Sequence, residues 1–402
     1  MTHLTLDLPV HDSSAEAAAT VAALTAPPMA QRAPATPPAQ TTPSSQAARR
    51  ASVDAGTLTL SGGTIVMPSA QPFNAIQAEE RHSGYRHLLL PQARFARPRG
   101  EGKLSADEAA RLAPTGLASL RVAPPGQSLS DLAVDAALDL RDQMGSERLA
   151  RTTHVVIASS SLNEKIGDSV VGRVQYELGL NHSVPFALGQ NGTLGWYSAL
   201  LLLDGMLGPD DQALVVLSDK WLYPFFRQFG DLVGFGDAAA ALLVSRAPDP
   251  DRVDATCWGT VSSVVMEFGD AIRDPWGESP EAVRDALAPL AARTLHRALD
   301  AAGRAPERID WCVPAGFDAS FASRVADCAA IPVGARVQHE TTGHWSSADS
   351  AASMIRLAAS LEAGETRVAL VWDAALHGAA AAAVLELRGG FATAEQLDGE
   401  TR

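Results

Sequence analysis

Two short stretches carry residues whose types and spacing suit chemistry. In "GQNGTLGWYSALLLLDGML", Gly189 to Leu207, a turn of small and polar residues gives way to a long apolar helix pattern. One hydroxyl, Thr193, stands at that junction. The first turn of a helix has backbone N–H groups without intrahelical partners, and these favour an anion or a developing oxyanion. Thr193 is therefore a candidate nucleophile, the remnant of one, or a plain helix cap. In "TTGHWSSAD", His344 falls on a loop and Asp349 on the first turns of the helix "SSADSAASMIRLAASL". Residues five apart on one straight helix do not share a face. A histidine just outside the helix can nevertheless fold back over its first turn and meet the carboxylate. A carboxylate on one ring nitrogen fixes the tautomer and leaves the other nitrogen free as a base. The alternative is a structural histidine bonded to Asp349 without catalysis.

Positioning these groups requires a substantial core, and the composition supplies it. The chain has 402 residues, 46% hydrophobic and 19% charged, enough for one large core or two fused half-cores. No apolar run approaches the roughly 20 residues of a membrane helix. The first residues, "MTHLTLDLPVHDSSAEAAATV", lack the basic start and apolar run of a signal peptide, so a cytoplasmic protein is expected. Cys257, Cys312 and Cys328 have neither metal-ligand nor disulfide-framework spacing. A net charge of −14 argues against nucleic acid and anionic membranes as partners. An acidic partner needs a local basic patch, and "RFARPRGEGK", with Arg94, Arg97, Arg99 and Lys103, is the candidate. A solvated loop is the alternative.

Residues 1–55 are Ala, Pro, Ser, Thr and Gln rich and lack the apolar periodicity that offsets ordering entropy. They are expected to be a flexible extension, with a tail at 391–402. Between them an internal echo divides the chain into halves, 56–250 and 251–390. "THVVIAS" from Thr153 matches "IDWCVPA" from Ile309 as a buried strand after a helix. "DQALVVLSD", ending at Asp219, matches "ETRVALVWD", ending at Asp373. "GDAAAALLVSR" from Gly236 matches "HGAAAAAVLELR" from His377. Helix, strand, helix, strand, strand thus occurs twice, which implies duplicated α/β halves, with parallel pairing where helices intervene. One helix is expected near Ser130. Its repeat partner has Ser279 as N-cap and Pro280 at the first helical position, and Pro289 is expected to kink or split it.

Fused halves with a small-residue turn before each central helix resemble the thiolase superfamily. The ketoacyl-acyl-carrier-protein synthase III branch is the better match, over about residues 56 to 390. "GLASLRVAPPGQSLSDLAVDAA" is similar to its N-terminal "GI..R" segment and helix. "VVIASSSLNEKIGDSVVGRVQYELGL" is similar to the elements before its nucleophile, and "FGDAAAALLVSR" to its FGDGA strand entry. The resemblance implies an α/β thiolase-like fold, two duplicated halves in an αβαβα layering. It also implies a Cys, His and Asn set. Here Thr193 stands at the cysteine position, Ala315 in "VPAGFD" at the histidine, and His344 in "GHWSSAD" at the asparagine. Without these identities, ordinary carbon–carbon condensation is not expected.

An acyltransferase offshoot of the family pairs a histidine and an aspartate at the spacing of His344 and Asp349. The resemblance therefore implies acyl transfer from an acyl-carrier-protein or coenzyme A thioester to an alcohol or amine, as in polyketide-like biosynthesis. His344 would be the general base and Asp349 its orienting acid. Thr193 would either be acylated or only contact the thioester, and the direct route is preferred. Backbone N–H groups near Thr193, Asp373 and Ala374 are the expected oxyanion donors, although "WDAALHG" replaces a Gly-rich turn. Asn191, Trp196, Trp345 and Phe317 are weaker pocket candidates; Trp372 also falls beside the site. Ser198 is expected to pack, and His377 to be structural. The loop from Ser218 to Asp237, with Trp221, Tyr223, Phe225 and Phe226, would form a wall or a dimer contact. The resemblance implies no metal, nicotinamide or flavin, and a homodimer or a heterodimer with a ketosynthase-like subunit. The competing reading is a catalytically silent partner subunit.

Overall fold

The computed structural model describes residues 51–52, 58–72, 119–124, 126–161, 163, 167–189, 191–221, 227–246, 256–270, 272, 278–338, 343–391 and 394–397. All lie in one compact unit, Ala47–Arg402. The basic patch at 94–103 and the aromatic residues Tyr223, Phe225 and Phe226 lie outside the described residues, as does nearly all of the expected extension.

Among the described residues eleven strands form the main sheet: β1 (Ala51–Ser52), β2 (Leu58–Met67), β3 (His154–Ser159), β4 (Val184–Gly189), β5 (Gln212–Asp219), β6 (Ala238–Arg246), β7 (Cys257–Phe268), β8 (Trp311–Pro314), β9 (Thr366–Ala375), β10 (Ala379–Arg388) and β11 (Ala394–Leu397). The principal helices are α1 (Leu129–Met144), α2 (Val170–Glu177), α3 (Gly195–Met206), α4 (Pro280–Ala301), α5 (Ala319–Cys328) and α6 (Asp349–Ser360). The strand order is β8-β9-β10-β7-β2-β6-β5-β3-β4.

The echo in the sequence is a true structural repeat. β3 and β5 pair in parallel, β5 with β6 and β6 with β2 antiparallel. In the second half β8 and β9 pair in parallel, β9 with β10 and β10 with β7 antiparallel. The halves meet where β2 pairs antiparallel with β7, from Cys257↔Ser61 to Val261↔Leu58. β1 on β7 and β11 on β2 lengthen this seam. Both fall in segments expected to be extension and tail, so order reaches further into each end than the composition implies. Backbone pairing to a sheet edge needs no apolar pattern, which is why composition misses it.

Three cores separate five layers. α1 and α2 cover the outer face of the first half, with Leu132, Leu140, Val155 and Leu243. α4 and α5 cover the second, with Leu287, Leu295, Phe321 and Leu370. α3 and α6 lie between, sharing one core with Val215, Leu242, Val371 and Ala383 from both halves. α3 is apolar on most faces, as a helix enclosed by two sheets must be. The expected αβαβα layering is present.

Capping chemistry sets the helix starts. Ser128 accepts the Asp131 N–H at 3.1 Å while the Asp131 carboxylate accepts the Ser128 N–H at 2.7 Å, a capping box. Ser279 accepts the Ala282 N–H at 3.1 Å, with Pro280 following. Pro289 does not split α4, which runs unbroken from Pro280 to Ala301. Buried Leu287, Leu290, Leu295 and Leu299 offset the roughly 3 kcal/mol that an interior proline costs.

Candidate active site

The turn Asn191–Leu194 leads into α3 and packs against the end of β9, a strand of the other half. Gly192 has φ +55°, and a Cβ there would sit 2.6 Å from Ala375 Cβ. Only glycine fits this position without displacing β9. The N-cap of α3 is Leu194, with no side-chain cap. Thr193 is therefore not the helix cap; its hydroxyl donates to the Ala374 carbonyl at 3.4 Å. Asn191 folds back to donate to Ser198 Oγ, which in turn donates to the Leu194 carbonyl. Both side chains serve the first turn of the helix.

His344 is held on both sides of its backbone by the Arg227–Asp237 segment. Its N–H donates to the Gly234 carbonyl at 2.8 Å and its carbonyl accepts the Gly236 N–H at 2.8 Å. A buried ion pair anchors that segment: Arg227 donates to both oxygens of Asp237, at 2.7 and 3.0 Å. The Ala123 and Trp221 N–H groups satisfy the same carboxylate, and the Trp221 ring stacks on Phe235 at 4.2 Å. Phe317 meets the His344 ring edge to face at 5.1 Å. The imidazole is 0% exposed.

The structure brings His344 and Asp349 together, with Nδ1 3.4 Å from Asp349 Oδ2. It does not leave the free basic nitrogen expected from that pair. Nδ1 accepts the Ser346 backbone N–H at 3.0 Å. Nε2 faces Asp373 Oδ1 at 3.1 Å. A neutral imidazole has one lone pair and one N–H. With Nδ1 spent as acceptor, the proton is on Nε2 and is donated to Asp373. Asp349 instead caps its own loop, accepting the Trp345 N–H at 2.7 Å and the Gly316 N–H at 3.3 Å. The carboxylate that holds the ring is thus Asp373, 29 residues away at the end of β9.

The oxyanion expectation at Asp373 and Ala374 also changes. The Ala374 N–H donates to Asp373 Oδ1 at 2.6 Å, so that donor is already taken. Asp373 is 1% exposed, and its Oδ2 has no hydrogen-bond partner among the described residues. Burial, more than any other cause, holds its carboxyl above the usual carboxylate range, opposed by His344, while Asp349 raises it further and the Thr193 hydroxyl lowers it. Burial likewise pushes the Tyr197 phenol well above its ordinary value, with Asp373 next among the causes. Its hydroxyl bonds Ser350 Oγ at 3.0 Å.

Ala315 is fully buried, its N–H on the Trp372 carbonyl at 2.9 Å. Trp196 and Trp345 belong to the inner core, and Arg356 lies over the Trp345 ring at 4.8 Å. Trp196, on α3, and Trp345, on the loop entering α6, are 0% and 1% exposed, so among the described residues both indoles are enclosed by packing. Phe317 is the pocket candidate that touches the His344 ring. His377, exposed on the β9–β10 turn, has its ring 3.1 Å from where a Gly192 Cβ would stand, and burial of part of the ring lowers its pKa.

The repeat supplies a second buried carboxylate that residue-by-residue reading passed over. Asp219, at the end of β5 as Asp373 is of β9, accepts the Ser347 N–H at 2.9 Å and the Ser160 and Ser161 N–H groups at 2.8 Å. Both aspartates therefore grip the same loop entering α6, Asp219 from the other half and Asp373 from its own. The matching Asp in "VVLSD" and "LVWD" was the available signal. Among the described residues, no group of three or more His, Cys, Asp or Glu is placed to hold a metal ion, and no helix is long and apolar enough to cross a membrane.

Layering and repeat define a protein of thiolase-like fold. Within that class the chain is similar to ketoacyl-acyl-carrier-protein synthase III proteins. The β-ketoacyl-[acyl-carrier-protein] synthase III of Paracoccus denitrificans is 28% identical over 230 residues, covering 53% of this chain and 70% of that protein. The solved acyltransferase ChlB3 superposes with a TM-score of 0.62 at 16% identity, covering 83% of this chain and 98% of ChlB3. The 3-oxoacyl-(acyl carrier protein) synthase III of Pseudomonas aeruginosa PAO1 gives 0.57 at 21%, covering 83% and 98%. OleA of Xanthomonas campestris gives 0.58 at 16%, covering 82% and 98%. At such identities the structural likeness is one of fold. No protein-family model matches the chain.

Proposed function

We propose that this chain is an acyltransferase that moves an acyl group from an acyl-carrier-protein or coenzyme A thioester to an alcohol or amine. The observation that carries the proposal is the buried His344–Asp373 pair beside Thr193, at the position where a condensing enzyme of this fold keeps neutral donors. Condensation passes through an enolate, which a neighbouring carboxylate repels. Acylation of an alcohol or amine instead releases a proton, which a histidine–carboxylate pair accepts. The direct route, in which the acceptor attacks the thioester, is favoured. Thr193 is a crowded secondary alcohol whose hydroxyl is engaged with Ala374. The acyltransferase ChlB3 among the fold's relatives supports the reaction class. A dimer paired through β4 fits the same reading. Among the described residues that strand bonds only β3 in the main sheet, and Val184 is 49% exposed.

The silent-subunit reading has one observation in its favour: the Ala374 N–H, a natural oxyanion donor, is occupied by Asp373. One experiment separates the two. Purified protein is incubated with acyl thioesters and candidate alcohols or amines, and thiol release and acylated product are followed by mass spectrometry. Transfer that requires the acceptor and leaves no acyl adduct on the protein is the expected result. An adduct on the Thr193 peptide would establish the covalent route. No transfer, with tight co-purification of a ketosynthase homologue, would establish the silent subunit.

A further inference from the structure

We infer that Asp373 Oδ2 is the atom that takes the acceptor's proton, and that His344 is a positioning residue that holds this carboxylate. The inference rests on the acyl-transfer reading and reassigns its base. Three observations carry it. First, neither His344 nitrogen has a lone pair to offer substrate. Nδ1 accepts the Ser346 N–H at 3.0 Å, and Nε2 carries its proton toward Asp373 Oδ1 at 3.1 Å. Second, Asp349 accepts two backbone N–H groups, from Trp345 and Gly316, and closes the loop that carries His344. Third, Asp373 divides its two oxygens. Oδ1 accepts both the Ala374 N–H and the His344 N–H, which fixes the carboxylate plane. Oδ2, buried and without a partner among the described residues, remains on a group that also feels the Thr193 hydroxyl.

An unpaired, desolvated carboxylate oxygen is a costly feature for a fold to keep, and unlike either His344 nitrogen it has a lone pair that no described group occupies. The groups facing it are His344, Asp349, Tyr197 and Thr193. The acceptor oxygen or nitrogen bonds to the thioester carbonyl carbon while its proton passes to Asp373 Oδ2. The C–S bond breaks with its electron pair on sulfur. The same proton then moves from Asp373 to the thiolate, releasing free thiol and restoring the carboxylate.

The test pairs two variants with one spectroscopic measurement. Asp373→Asn is expected to lower kcat by about 10²–10⁴-fold, the usual contribution of general-base assistance. It should also abolish the rising limb of the pH–rate profile. His344→Gln, whose amide N–H can still donate to Oδ1, should lose roughly tenfold or less and keep that limb. Loss of the limb in His344→Gln with its survival in Asp373→Asn would overturn the assignment. The second measurement needs no substrate. ¹⁵N NMR of histidine-labelled protein, with the His344 signal identified by its absence from His344→Gln, should show a ring protonated at Nε2 alone at pH 7. A ring protonated at Nδ1 would overturn the assignment even if no acceptor had been found. Failure to detect transfer with any thioester would count against the acyltransferase reading instead.

Discussion

Asp373→Asn separates the charge of this carboxylate from its shape, and stability should respond in the opposite direction to activity. The asparagine oxygen can keep the hydrogen bonds from Ala374 N–H and His344 Nε2 now made to Oδ1. Its NH₂ group then replaces Oδ2, which has no partner, and can donate toward Thr193. A buried acceptor left unpaired costs about 1–3 kcal/mol, and more when charged. One kcal/mol corresponds to roughly 2–4 °C in Tm for domains of 150–250 residues, and less for longer chains. The variant should therefore melt about 2–6 °C higher near pH 8. The pH dependence follows from the direction of the shift. Burial raises the Asp373 carboxyl in the folded protein above its unfolded value. The folded state thus holds this proton more tightly, and its contribution to stability falls as pH rises from the unfolded value through the folded one. Below the unfolded value, about 3.9, both forms of the site are neutral and the advantage of asparagine should vanish. Scanning calorimetry of both proteins from pH 4 to pH 8 measures the difference. A variant that melts lower at pH 8, or that transfers acyl groups as fast as the parent, would refute the view that this charge is kept for chemistry at a cost in stability.

Three other perturbations have defined outcomes. Arg227→Met removes one partner of the buried pair with Asp237, which typically costs about 3–5 kcal/mol. Retained N–H bonds from Ala123 and Trp221 place the expected loss in urea unfolding at the lower end. Gly192→Ala forces a side chain into φ +55° and against Ala375. It should lower stability by at least about 1 kcal/mol and acyl transfer by about 10²-fold, with helix content by circular dichroism little changed. Val184→Lys places a charge on the exposed β4 edge. It should convert the proposed dimer to monomer in analytical ultracentrifugation while shifting stability by no more than about 0.5 kcal/mol.

The sequence by itself determined the repeat. Buried runs such as "VVIA", "LVVLSD" and "AAAALLV", each placed after a helix or a small-residue turn, marked β3, β5 and β6 and their partners β8, β9 and β10. Serine caps marked α1 and α4. The order of these landmarks implied two duplicated α/β halves, and the family resemblance added the thiolase-like fold and placed Thr193, Ala315 and His344 at three site positions. Only the tertiary structure decided which carboxylate holds the imidazole. Asp349 was the candidate because it is near in sequence, yet the backbone N–H groups of its own loop occupy it. Asp373 was visible as a strand end and as a backbone oxyanion candidate, but not as the partner of the imidazole. It reaches His344 because β9 delivers it beneath the loop entering α6, just as β5 delivers Asp219 to Ser347. β1, β2, β7 and β11 were likewise settled by which strand edges met. Periodicity and caps report the surroundings each residue requires, namely a buried face or a satisfied N–H. They carry no record of which distant group meets that requirement, because any segment of suitable chemistry that the sheets bring alongside can do so.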